Sequence, residues 1–335
     1  MAPWFLERRV KKEGSDILLL LAANRRIVQP RCLPTVAVVH DLAQLHLPRK
    51  YDWLRMQYFH RVIMGLLPKQ TRLVAISQAT KDDMTQLVGL EEKNIRVVYN
   101  GVDSRFSRSK ALGNRRDVCL SADTARSSWR GSDASLEEDD QGPGDPQGYC
   151  RGLSEHPYIY YPARFEAPAK NHARLIQAFR PLARESGTQL VLSGADWGAE
   201  SELRALVHEL SLEDHVLFPG YVSSEGLRSL MGGAAGVVLP GLYEGFGLPA
   251  VEALALGLPV AVAQAGALPE VVGPYGFFFD PYSVDSITAA LERMLMEGWR
   301  TPEQRSLAMH WARGFSWETT AAGLLEECRA AVEGS

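Results

Sequence analysis

Ten apolar runs of five or six residues alternate with stretches of helical periodicity along most of this 335-residue chain. A run that short, apolar on both faces, suits a strand covered on both sides. Helical crossovers lay successive strands of that kind parallel. In the first half the runs are Asp16–Leu21, Thr35–His40, Arg72–Ser77 and Ile95–Tyr99. In the second they are Tyr158–Ala163, Gln189–Gly194, His215–Gly220, Gly236–Pro240, Leu258–Ala263 and Gly276–Asp280. The expected class is α/β, with six strands making a full doubly wound sheet in the second half and four strands in the first.

Between the halves the composition changes. Residues 113–148 are rich in Ser, Gly, Asp and Arg, hold the acidic run Glu137–Asp140, and lack apolar periodicity. Such a stretch buries too little surface to offset its ordering entropy, so a linker or insertion is expected over 111–155. The expected domains are therefore 1–110 and 156–315, with a closing helix over 316–335 that Ser316 can cap.

Charge is unevenly spread. Residues 1–110 carry 19 Lys and Arg against 10 Asp and Glu, and the remainder carries 17 against 30. A basic half suits an anionic partner such as a lipid surface, or it is an ordinary solvated surface. Two segments bear on the first option: Trp4 to Lys12 interleaves apolar and basic residues, and Arg49 to Leu67 mixes basic, aromatic and aliphatic ones, unless the apolar positions of the latter face the core of a helix. The four cysteines are scattered without metal-ligand spacing and imply a reducing compartment. The longest apolar run, Ile17–Ala23, is far short of the ~20 residues of a membrane span. A cytoplasmic protein is expected, with or without peripheral contact at the inner face of the membrane.

The strongest chemical signal is Glu244-Gly-Phe-Gly-Leu-Pro-Ala-Val-Glu252, followed by Gly257. Pro249 suits the first turn of a helix and Gly257 its left-handed exit, which puts Glu244 in the preceding loop and Glu252 near the first turn. Gly245 and Gly247 allow close backbone approach, and free N–H groups at a helix start favour phosphate. Carboxylates beside such a backbone accept hydrogen bonds from vicinal hydroxyls, as in a nucleotide sugar. A second loop, Tyr161 to His172, carries Arg164 and Lys170. Its two cations either stabilise a departing diphosphate or are simply solvated.

Taken together, Arg164–x5–Lys170, Phe218-Pro-Gly-Tyr-Val222 and Glu244–x7–Glu252 resemble the retaining family-4 glycosyltransferases of the GT-B fold. The segments at His40-Asp41-Leu42, Ala75 to Lys81, Val98 to Asp103 and Phe315 to Glu318 resemble other parts of that family. The resemblance implies two Rossmann-like domains facing a cleft: an acceptor-side domain (1–110) completed by the closing helix, and a donor domain (156–315). It implies that Arg164 and Lys170 hold the donor diphosphate and that Glu252 binds ribose hydroxyls. It implies that Glu244 and the backbone N–H groups of Gly245, Phe246, Gly247 and Leu248 fix the transferred sugar, with His40 beside it. A strand-end His40 tied to a neighbouring loop is the alternative. His46, His60 and His310 lie outside motifs and are read as structural or exposed.

The resemblance further implies a metal-independent transferase with no cofactor, a saccharide or lipid-linked acceptor and no nucleic-acid partner. It points to mannose from GDP-mannose, with a UDP-sugar as the other option. Family members open with elements that precede the segment found here near Trp4, so the acceptor-side domain is expected to be incomplete. That favours a competing reading, a nucleotide-sugar-binding remnant or regulatory subunit with little transfer activity. An epimerase or phosphorylase of the same fold should differ around Arg164 to Lys170 and lack the Glu252 spacing.

Overall fold

The computed structural model describes residues 12–30, 33–47, 53–107, 157–299 and 301–334. The expected linker over 111–155 and most of the Trp4 to Lys12 segment lie outside the described residues. All ten expected strands form: β1 (Leu18–Leu20), β2 (Thr35–Val39), β3 (Arg72–Ala75), β4 (Ile95–Val97), β5 (Tyr158–Pro162), β6 (Gln189–Ser193), β7 (Val216–Gly220), β8 (Gly236–Leu239), β9 (Val260–Ala263) and β10 (Gly276–Phe279).

They make two parallel sheets. One runs β1-β2-β3-β4 and the other β10-β9-β8-β5-β6-β7. The second is a doubly wound order, and its strand order reverses between the paired strands β5 and β8. At that switch point the connections leave toward opposite faces of the sheet, which opens a crevice beyond the carboxyl ends.

Burial explains why the strands read as unbroken apolar runs. Every residue of β2, β5, β6, β8 and β9 is buried, whereas the edge strands β7 and β10 are mostly half-buried. In β2, Ala37 and Val39 face a cluster with Leu42, Phe59, Ile63, Leu67 and Met84. Val36 and Val38 face the opposite way, into the core shared with the second sheet and with Ala331 of the closing helix Trp317–Glu333. Each fully buried aliphatic side chain of this kind is worth about 1.5–3 kcal/mol.

The closing helix starts where the sequence places it. Ser316 accepts from the Thr319 amide at 3.1 Å, and Thr320 Oγ1 donates to the Tyr99 carbonyl at 2.7 Å. Arg96 and Arg72 meet Glu326 and Glu327 of the same helix at 3.3 and 3.9 Å. A helix at the end of the chain thus packs on the sheet nearest its start. No helix among the described residues is long and apolar enough to cross a membrane.

Candidate active site

The two loops singled out by sequence leave the carboxyl ends of β5 and β8, the strands that flank the switch point. Their mutual position is set by backbone and amide bonds. Leu242 N–H donates to the Ala169 carbonyl at 2.9 Å. Asn171, in left-handed backbone conformation at φ 56°, donates its side-chain amide to Pro240 O at 3.0 Å and Pro281 O at 2.7 Å. Tyr161 Oη donates to the Lys170 carbonyl at 3.0 Å. The outcome is an ion pair across the two loops, Lys170 Nζ to Glu244 Oε1 at 2.6 Å.

Arg164 lies on the same loop as Lys170. Its Nε donates to Glu166 Oε2 at 2.7 Å, and its guanidinium sits 4.4 Å from the centre of the Trp197 ring. A guanidinium held through Nε and stacked on one face presents its terminal nitrogens as a rigid fork suited to a phosphate. Glu166 is almost wholly buried, so it fixes the arginine rather than meeting solvent. Neither Glu166 nor Trp197 stands out in the sequence, because each reads as an ordinary loop residue.

The next residue along from Asn171, His172, is buried against Tyr161 and Phe165, with ring centroids at 4.8 and 5.3 Å. Its Nε2 has no hydrogen-bond partner. Burial, with the Lys170 charge adding, lowers this imidazole to about 3, so it is neutral at ordinary pH.

Beyond Glu244 the loop turns into helix Leu248–Ala255. Gly247 stands at its start with φ 94°, a conformation that a side chain would strain, and no side chain caps the helix amides there. Gly257 exits left-handed as expected, at φ 73°. Because the helix begins at Leu248, Glu252 is its fifth residue and opens the second turn, not the first. Phe246 is buried in an aromatic group with Tyr99 and Phe315, at 6.3 and 5.7 Å, so its ring packs between the two halves. Leu248 likewise packs against the core.

Glu252 lines a cavity of about 380 Å³ together with Asp103 and Arg105 of the first half and Ser224, Glu225 and Arg228 of helix Ser224–Gly233. Burial, with Asp103 adding and Arg105 partly offsetting, raises its carboxyl to about 7. Sequence reasoning found Glu252 but not the residues of the first half that surround it.

Across the crevice stands the loop after β2. His40 Nε2 lies 2.6 Å from the Leu21 carbonyl, so this ring does hydrogen-bond the loop after β1. Its backbone is what meets the other half: a Cβ on Gly245 would lie 2.2 Å from the His40 carbonyl oxygen. The structure therefore brings Lys170, Glu244, Gly245 and His40 into one neighbourhood, and Arg164 shares a loop with Lys170. Glu252 faces a cavity of its own on the adjoining helix. Among the described residues, no three His, Cys, Asp or Glu side chains cluster in a way that would hold a metal ion.

Residues 152–308 match the family described as Glycosyl transferases group 1, and residues 1–106 match Glycosyltransferase Family 4. The chain belongs to the family-4 glycosyltransferases of the GT-B fold.

One relative is O-antigen chain mannosyltransferase B of Escherichia coli, 39% identical over 165 residues, covering 48% of this chain and 42% of that protein. A longer match is to a D-inositol 3-phosphate glycosyltransferase of Acidothermus cellulolyticus, 32% identical over 316 residues, covering 90% of this chain and 62% of that protein. The chain spans about half the length of the curated relatives it matches. Among solved structures, Anabaena Alr3699/HepE in complex with UDP and glucose superposes with a TM-score of 0.70 at 20% identity, covering 98% of this chain and 82% of that one. At that identity the likeness speaks for the fold alone.

Proposed function

We propose that this family-4 chain transfers mannose from GDP-mannose to a saccharide or lipid-linked acceptor with retention of configuration. One observation carries the reading: Lys170 and Glu244 meet at 2.6 Å across loops from the two strands at the switch point, and Arg164 lies on the same loop as Lys170. In this assignment Arg164 and Lys170 neutralise the donor diphosphate and Glu252 takes the ribose hydroxyls. Glu244 and the backbone N–H groups of Gly245 to Leu248 orient the sugar beside His40. The bond from the sugar's anomeric carbon to the diphosphate oxygen breaks, and the acceptor hydroxyl attacks on the same face. Its proton passes to the leaving diphosphate, whose charge the two cations balance without a metal. Donor binding is assigned to 156–315. The acceptor side is assigned to 1–110 with helix Trp317–Glu333.

The choice of mannose draws on relatives named mannosyltransferases, two of them described as GDP-mannose-dependent. Thermal shifts by GDP, UDP, GDP-mannose and UDP-glucose rank the donors, and nucleotide release with and without acceptor separates transfer from hydrolysis. A larger stabilisation by the uridine pair overturns the guanosine assignment. Binding with no release would favour the non-catalytic remnant.

The reading extends to peripheral contact with the inner face of a membrane. Trp53 and Leu54 are each 70% exposed, and Tyr58 and Arg61, further along the same helical stretch, are exposed as well. Aromatic and aliphatic side chains beside a cation suit an anionic lipid interface. Flotation with anionic but not neutral vesicles is the expected result, and equal flotation with both rules it out.

A further inference from the structure

Helix Gln78–Gln86 of the first half meets the second half at two places along its length. At its start, the Gln78 N–H donates to Glu270 Oε1 at 2.8 Å, and Glu270 lies on helix Leu268–Val272. A carboxylate at the open amides of a helix start is favoured by both hydrogen bonding and the helix dipole. Further along, Asp83 accepts from Tyr243 Oη and from His46 Nε2, the latter at 2.9 Å. The His46 ring stacks on Tyr243 at 4.3 Å with 20° between the planes.

These contacts converge on the loop that holds Glu244. Tyr243 is the residue before it. On the other side, the Ala267 N–H donates to the Glu244 carbonyl at 2.9 Å, three residues before Glu270. The same helix also touches the opposing loop, with Thr80 Oγ1 3.5 Å from the His40 carbonyl. One short helix thus holds the Glu244 loop directly at Tyr243 and indirectly through Glu270 and Ala267, and the His40 loop at Thr80. Nothing in packing alone requires this. Tyr243 is mostly buried, and a phenylalanine would fill the same space without the bond to Asp83.

We propose that Asp83, held by His46, and Glu270 are positioning residues that clamp the Glu244 loop to helix Gln78–Gln86, so that contacts to the transferred sugar depend on the two halves being docked. The proposal rests on the donor reading above only for the identity of the ligand. The phenol remains protonated in this setting, because burial and Asp83 both raise it, so it donates to the carboxylate. Arg164, Lys170 and Glu252 are not held by this helix. Loosening the clamp should therefore affect the sugar end of the donor and spare the nucleotide end.

The test uses the full chain with Tyr243→Phe, Asp83→Asn and the double substitution. Two quantities are read: hydrogen exchange of the 241–247 backbone in the ligand-free protein, and the dissociation constants for GDP and GDP-mannose. The expected result is at least threefold faster exchange in that loop. GDP affinity should stay within twofold, and GDP-mannose affinity should fall about tenfold. The double variant should behave like either single one. Unchanged loop exchange overturns the proposal, and so does equal weakening of both ligands. Should Asp83→Asn fail to fold, Tyr243→Phe decides alone. If the wild-type chain binds neither ligand, the donor reading falls while the exchange result still decides the clamp.

Discussion

The ammonium of Lys170 and the carboxylate of Glu244 stand 2.6 Å apart, so each charge is the other's partner. A diphosphate must share Lys170 with Glu244 or take it over.

Lys170→Ala should therefore have two effects. A charge-assisted contact to phosphate is worth about 1.5–3 kcal/mol, so nucleoside diphosphate affinity should fall roughly ten- to hundredfold. Glu244 is also left without that partner, so the melting temperature should drop. Adding Glu244→Gln should recover part of the loss, since contacting residues are not additive. Calorimetric titration and thermal unfolding of the three variants check both effects. Wild-type diphosphate affinity in Lys170→Ala would show that the ammonium serves the ion pair only.

Glu252 exchanges stability for function. Its carboxyl is raised from 4.5 to about 7, so the folded state holds this proton more tightly than the unfolded state. Its stabilising contribution is complete below the ordinary value and is lost as pH rises through about 7, a loss of up to about 3 kcal/mol. Between pH 5 and pH 8, Glu252→Gln should lose less stability than wild type by that order. In the donor reading the same carboxylate accepts from ribose, so wild-type nucleotide affinity should rise with pH across this window and the Gln variant's should not. Urea unfolding and nucleotide titration at both pH values decide it. Parallel stability slopes in the two proteins would place the carboxylate in solvent.

How much of this was legible depends on how far apart the cause and its effect lie along the chain. Each strand carries its own evidence, a continuous apolar run between turn residues, so all ten were readable. Their ends were read one or two residues long, because His40, Ser77 and Tyr99 leave the ladder to shape the loops. Glu244 and Glu252 were found through a local spacing that one helix start explains. By contrast, Tyr243 and Asp83 are 160 residues apart, and nothing near either one points to the other. His46 reads from sequence as structural or exposed for the same reason: its role is visible only once its ring lies on Tyr243. Whether His40 tied a neighbouring loop was left open by sequence, since the Leu21 carbonyl it meets is an anonymous backbone atom.

His172 should set part of the acid limit of the fold. Its imidazole is lowered from 6.5 to about 3 by burial and by Lys170, so the unfolded chain takes up this proton more readily. The contribution is present above about 6.5 and is lost as pH falls toward 3, at up to about 1.4 kcal/mol per pH unit. Wild type should lose stability across that range faster than His172→Phe, which keeps a ring against Tyr161 and Phe165. Denaturant midpoints at pH 7, 5.5 and 4 provide the comparison. Identical slopes would mean that the ring charges in place with little cost.

Gly245→Ala tests how closely the two halves must meet. The added Cβ would sit 2.2 Å from the His40 carbonyl oxygen and 2.7 Å from Asp41 Cβ. Both obstacles belong to the loop after β2, and the carbonyl is backbone that cannot rotate away alone. The loops must separate by about 1 Å, and a misplacement of that size can cost on the order of a hundredfold in rate. Turnover of the sugar donor should fall by about that factor. Nucleoside diphosphate affinity should change by less than threefold, because Arg164 and Lys170 sit on the second half alone. Gly65→Ala is the matched control, since its Cβ would meet nothing within 4 Å. Nucleotide release under saturating donor, with both variants beside wild type, gives the answer. If Gly245→Ala turns over as fast as Gly65→Ala, the two loops have slack and the close approach at His40 does not govern the reaction.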